Sequence, residues 1–171
     1  MTELREKTIR QYMGILAAAL SYIVVHEGAH LLAAVCFGVF RGIHVLGLGV
    51  QVDVYRELMT DDQLGYFCMA GPAATECAAL VLTFFRKRNV RIKSLMLKAA
   101  LYYITLAMLL VDPLYLSLLY GFFGGGDMNG IRLLIPEGAA RVFFGLLCAV
   151  NAMISWKLVF RDYQLSFQKQ D

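Results

Sequence analysis

Four apolar runs, each long enough to cross a bilayer, leave this chain few folds to choose from. They lie near residues 12–40, 64–85, 95–120 and 139–160, and about 20 apolar residues make one span. With 59% hydrophobic residues over 171 positions, the chain is too apolar for a soluble domain. In lipid every backbone polar group must be bonded within the protein, so runs of this length are helices. The expected fold is an all-α polytopic membrane protein with about four transmembrane helices. It forms a single membrane-embedded domain over residues 1–171, with no room for an appended soluble module. The first run exceeds one span, so it tilts or ends early. Its length, and the motif it carries, argue against a signal peptide.

The segment after the first run has a different period. From Leu46 the even positions read Leu, Leu, Val, Val, Val and the odd ones Gly, Gly, Gln, Asp, Tyr. Alternation with period two predicts a short membrane-edge strand or hairpin within Gly42–Tyr55. Its backbone groups need partners at the membrane edge, supplied by the hairpin itself or by an extended substrate. Gly47, Leu48, Gly49 and Val50 are therefore candidate substrate-binding residues.

Charge sets orientation and excludes some partners. The net charge of +3 gives no case for a nucleic-acid partner. Arg86, Lys87, Arg88, Arg91 and Lys93 between the second and third runs, with Lys98 at the start of the third, cluster as a membrane-edge anchor does. Twelve of the sixteen Lys and Arg fall on that side or in the two tails; Arg41, Arg56, Arg132 and Arg141 fall on the other. Positive-inside then predicts a multi-pass protein of the cell membrane with both termini cytoplasmic. Cys36, Cys68, Cys77 and Cys148 are irregularly spaced in apolar segments, so they read as small buried hydrophobes.

Within the first run, Tyr12–Phe40, His26-Glu27-Gly28-Ala29-His30 holds the only acidic residue and the only histidines, and the run has no Lys or Arg. Histidines at i and i+4 share one helix face. That spacing lets both imidazoles hold one Zn²⁺, with Glu27 beside the water the ion would carry. The bland alternative is a pair of core histidines bonded to neighbouring helices, which leaves three costly intramembrane groups without a purpose. A catalytic zinc takes three protein ligands. Asp127 is the preferred third, since such sites take a carboxylate oxygen and it lies beyond the outer end of the third run. His26 stands 14 residues past Tyr12, about 21 Å along a helix and so past mid-bilayer toward the same side. Asp112, Glu76, Asp53 and His44 remain competitors, and Cys77 a remote one. Asp127 is also a good helix N-cap, Asp112 precedes Pro113 where it lines a cavity or caps a kink, and Asn129 either orients a substrate carbonyl or forms a turn with Gly130.

These residues together resemble the site-2 protease-type intramembrane zinc metalloproteases. The resemblance rests on His26–His30, on Ala70-Gly71-Pro72-Ala73-Ala74, similar to that family's Gly-Pro element, and on Gly126-Asp127-Met128-Asn129-Gly130-Ile131-Arg132-Leu133, similar to its third-ligand region. The family's Asn-x-x-Pro before the ligand Asp has no counterpart, and Met-Asn-Gly follows Asp127 where the family has Gly. Well-known relatives hold zinc nearer the cytoplasmic face, whereas the charge count places it nearer the outer face here.

The expected function is that of a zinc-dependent endopeptidase acting on transmembrane or membrane-associated peptides within the lipid bilayer. Zn²⁺ is held by His26, His30 and Asp127, Glu27 is the base, and Asn129 and the strand handle substrate; a regulatory membrane partner is allowed for. The competing classes are a zinc-binding membrane protein without hydrolysis, which needs no Glu27, and a small metal or proton transporter, which four spans without a repeat disfavour.

Overall fold

The computed structural model describes residues 2–46, 49–123 and 126–168. Four helical segments are long and apolar enough to cross a membrane, and a two-stranded hairpin follows the first. The protein is thus a helical membrane protein by its architecture.

Helix α1 (Thr2–Cys36) runs 35 residues, about 52 Å at 1.5 Å per residue. It starts ten residues before the apolar run and stops before that run ends. The stop is made by Gly38, with φ 69°, which lets Val39 N–H return to the Ala34 carbonyl at 2.9 Å. A glycine in this left-handed conformation is a common helix terminator. The freed chain forms β1 (Phe40–Leu46) and β2 (Gly49–Val54), paired antiparallel with Ile43 opposite Val52 and Leu46 opposite Gly49. Gly47 and Leu48, two of the candidate substrate residues, lie outside the described residues.

A capping box starts α2 (Asp61–Phe84): the Thr60 side chain accepts from Gln63 N–H while the Gln63 side chain accepts from Thr60 N–H. The short α3 (Arg86–Asn89) turns the chain, and Ser94 caps α4 (Leu95–Leu114). Past Pro113 the helix widens into a π turn over Tyr115–Leu119 and continues as α5 (Tyr120–Phe123). Then come α6 (Met128–Leu134) and α7 (Glu137–Ile154), the latter running through a second π segment into α8 (Arg161–Gln168).

Close helix contacts are made at glycines. Gly14 of α1 lies against the Tyr103 ring of α4, and Gly130 of α6 against Cys68 of α2. Small residues let helices approach where lipid supplies no hydrophobic drive between them. Two apolar clusters result. One joins Ala34, Val52, Phe67, Met128 and Ile131 beneath the hairpin; the other joins Ala79, Met108, Leu109, Val159 and Tyr163 toward the termini.

Two expectations are corrected here. Cys36 and Cys77 are exposed on the outside of the bundle while Cys68 is buried, and all four thiols are free. The outer face of a membrane helix is itself apolar, so an apolar setting does not imply burial. Lys98 is no surface anchor: it is fully buried.

Candidate metal centre

Helix α1 presents His26 and His30 one turn apart toward α2 and α6. Opposite them stands Gly71. A Cβ added there would lie 2.5 Å from His30 Nε2 and 2.7 Å from His26 Nε2, so the imidazoles occupy the volume of the missing side chain. Asp127 reaches the histidines from the turn before α6. It holds the N-cap position but makes no side-chain cap bond, contrary to the expectation of a capping carboxylate. Its Oδ2 is 3.1 Å from His26 Nε2 and its Oδ1 3.3 Å from His30 Nε2. The two Nε2 atoms are 3.1 Å apart.

The outer nitrogens of both rings are already committed. His30 Nδ1 is 2.8 Å from the Phe67 carbonyl oxygen, which only accepts, so Nδ1 carries the proton. Pro72 removes the helical bond to the neighbouring Cys68 carbonyl and loosens α2 at this turn. His26 Nδ1 donates to Asp112 Oδ2 at 3.3 Å. Asp112 in turn accepts from Thr75 Oγ1 at 2.5 Å and from the Tyr22 hydroxyl. In a neutral imidazole one nitrogen donates and the other accepts. Both Nε2 atoms therefore turn lone pairs toward each other and toward a carboxylate.

Three such atoms in buried surroundings need positive charge between them. A tetrahedral ion with bonds of about 2.0–2.1 Å sets its ligand atoms roughly 3.3–3.4 Å apart. The Nε2–Nε2 separation is close to that spacing, and each Nε2 has one Asp127 oxygen near it, Oδ2 for His26 and Oδ1 for His30. His26, His30 and Asp127 form the one group among the described residues able to hold a metal ion. The carboxylate–histidine pairing of Asp112 with His26 is the kind of outer support that orients a metal-binding ring.

The three ligands border a cavity of about 940 Å³. Glu27 and β2 line it too, and Glu27 Oε2 accepts the Val52 N–H at 3.2 Å. Val52 thus turns its N–H away from β1 and toward the cavity. The alternation of an antiparallel pair gives Val50 the same orientation. The outer edge of β2 is a strip of backbone donors and acceptors facing the metal ligands.

Other candidates fall into place around this centre. Gly49, Val50 and Asn129 line the cavity, and Asn129 Oδ1 lies 3.5 Å from the Tyr120 hydroxyl. Asp112 lines it too, as a partner of His26 outside the ligand group. Glu76 accepts from Asn151 Nδ2 at 2.8 Å, a contact between helices. Asp53 pairs with Arg41 and His44 on the hairpin. Tyr22 and Thr75 went unnoticed in the sequence. Tyr22 stands four residues before His26, a spacing that marks a shared helix face; Thr75 carries no comparable signal.

Comparison with protein-family models, with curated proteins and with solved structures gives no match.

Proposed function

We propose that this chain is a zinc-dependent intramembrane endopeptidase of the site-2 protease type. One observation carries the proposal: a two-histidine, one-carboxylate group shares a cavity with a further carboxylate, Glu27, and with an outward-facing strand edge. Two imidazole nitrogens and a carboxylate suit zinc best among common ions. Bound there, zinc supplies a Lewis acid for the scissile carbonyl and makes a water acidic enough to attack near neutral pH.

The protein's own groups do the rest. Glu27 is the general base: it takes the attacking water's proton and returns it to the leaving amine nitrogen, so no proton is lost or gained over the cycle. Asp112, Tyr22 and Thr75 fix the His26 ring. A transmembrane helix hides its carbonyls in hydrogen bonds, so the substrate must be extended before it is cut. Strand addition to the outer edge of β2 holds it that way. An incoming strand competes with Glu27 for the Val52 N–H, which couples substrate docking to release of the base. By the positive-inside rule, both termini face the cytoplasm and the cavity lies nearer the outer face of a cell membrane.

The test is cleavage of candidate single-span proteins co-expressed with wild type or with Glu27→Gln. The variant should keep its metal and lose activity by about 10²–10⁴-fold. Cleavage at the wild-type rate by Glu27→Gln would end the hydrolase proposal. A metal-loaded wild type that cuts none of a broad panel would favour a non-hydrolytic metal protein or a transporter.

A further inference from the structure

The three candidate metal ligands are not held alike. His26 and His30 stand on one continuous helix, and each ring is bonded from behind, to Asp112 and to the Phe67 carbonyl. Asp127 lies in a turn and makes no side-chain cap bond. Its carboxylate therefore stands where the backbone of Gly126 and Asp127 puts it. Gly126 has φ 61°, a conformation that glycine adopts at no steric cost. A Cβ added there would lie 3.4 Å from the Tyr115 hydroxyl oxygen and 3.6 Å from Tyr115 Cε1. Tyr115, the first residue of the π turn, thus packs against the residue before the ligand.

The π turn is itself braced from outside the cavity. Such a turn departs from the regular helical bonding ladder, so a carbonyl within it can take an outside donor. Arg141 of α7 supplies one: its Nε donates to the Ser117 carbonyl at 3.1 Å. The same guanidinium lies over Gly121 of α5, where an added Cβ would come 3.2 Å from Nη2. One planar fork thus spans the junction between the π turn and α5. Gly145, one turn beyond Arg141, keeps α7 close at the same point, since its added Cβ would lie 3.7 Å from Ser117 Cβ. The pair of Arg141 with Glu137 is long, at 3.9 Å, and a half-exposed pair of that kind contributes little. Arg141 does not line the metal cavity. We propose that Arg141 is a positioning residue for the third metal ligand: it holds the π turn, the π turn holds Tyr115 against Gly126, and that contact sets where the Asp127 carboxylate stands. The inference rests on His26, His30 and Asp127 being the ligand set and is independent of hydrolysis.

The test is Co²⁺ titration of the full chain in detergent after a chelator has removed metal. Visible absorption reports the ligand geometry, and thermal unfolding is recorded without metal. Arg141→Gln should bind Co²⁺ about tenfold more weakly than wild type, with altered bands. Arg141→Lys keeps one donor but not the fork and should fall between the two. Gly126→Ala, strained at φ 61°, should lose at least as much as Arg141→Gln. Arg86→Gln breaks the 2.9 Å pair with Asp162 at the other end of the bundle and should leave affinity and bands unchanged, even where it lowers the unfolding temperature. Wild-type affinity and bands in Arg141→Gln or in Gly126→Ala would overturn the proposal. Equal losses in Arg141→Gln and Arg86→Gln would overturn it too, as a general effect of stability. If Arg141→Gln fails to fold, Arg141→Lys decides: a partial loss at the wild-type unfolding temperature supports the proposal, and no loss overturns it. Wild type that binds no Co²⁺ would remove the metal centre itself, a failure distinct from normal binding in both wild type and Arg141→Gln.

Discussion

The two ends of this bundle gather charge of opposite kinds. At one end, two imidazole lone pairs and a carboxylate converge within 3.1–3.3 Å, and each ring is held from behind by a partner fixed in the helices. At the other end, Arg10 and Lys98 converge on Phe167 on long, flexible stems. The first arrangement demands a small cation at a defined point. The difference lies in preorganisation: short side chains on packed helices set geometry, while long ones at a bundle end set only sign.

The comparison breaks most visibly if the metal end tolerates crowding. Gly71→Val should abolish metal binding and destabilise the fold by about 1–3 kcal/mol, because the new side chain enters the imidazole volume. Metal content and thermal unfolding in one detergent check this. A valine variant with full metal would mean that the histidines are not held as described.

A subtler loss is expected behind the ring. Asp112→Asn keeps an acceptor but removes the charge that orients His26, and should weaken metal affinity about 10–100-fold. Glu76→Gln, which touches only the contact with Asn151, should leave affinity unchanged. Titration with a competing chelator measures both. Equal affinities for Asp112→Asn and wild type would make Asp112 a packing residue.

The smallest effect is expected on the strand. Val50→Pro removes an N–H that faces the cavity and leaves the bonds to β1 in place, as proline on an edge strand can. Cleavage should fall several-fold while metal content and unfolding temperature hold. Unchanged cleavage in that well-folded variant would rule out strand addition as the way substrate is held.

Much of this was legible because it depends on local pattern. The spans follow from run length, the hairpin from its period-two alternation, and the facing histidines from their spacing in α1. Helix ends were less legible. The length of the first apolar run, which reaches Phe40, left open whether its helix tilts or ends early; Gly38 followed by a strand pattern marks the early end, a break that continuous hydrophobicity masked. What stayed hidden is long-range. Nothing local tells that Asp112 of α4 meets His26 of α1, 86 positions apart, or that Thr75 joins them. Burial was also hard to read, since lipid makes the outer face as apolar as the core. Hence Cys36 and Cys77 point outward, while Lys98, grouped by composition with the surface cations, lies inside.

The central claim is that the metal-end cavity is a zinc centre with a separate base. Metal stoichiometry by mass spectrometry on purified wild type, His30→Ala, Asp127→Ala and Glu27→Gln tests it most directly. The account predicts about one zinc per chain in wild type and in Glu27→Gln, and little in His30→Ala and Asp127→Ala, as three protein ligands require. Wild type without metal, or full occupancy in Asp127→Ala, would contradict it.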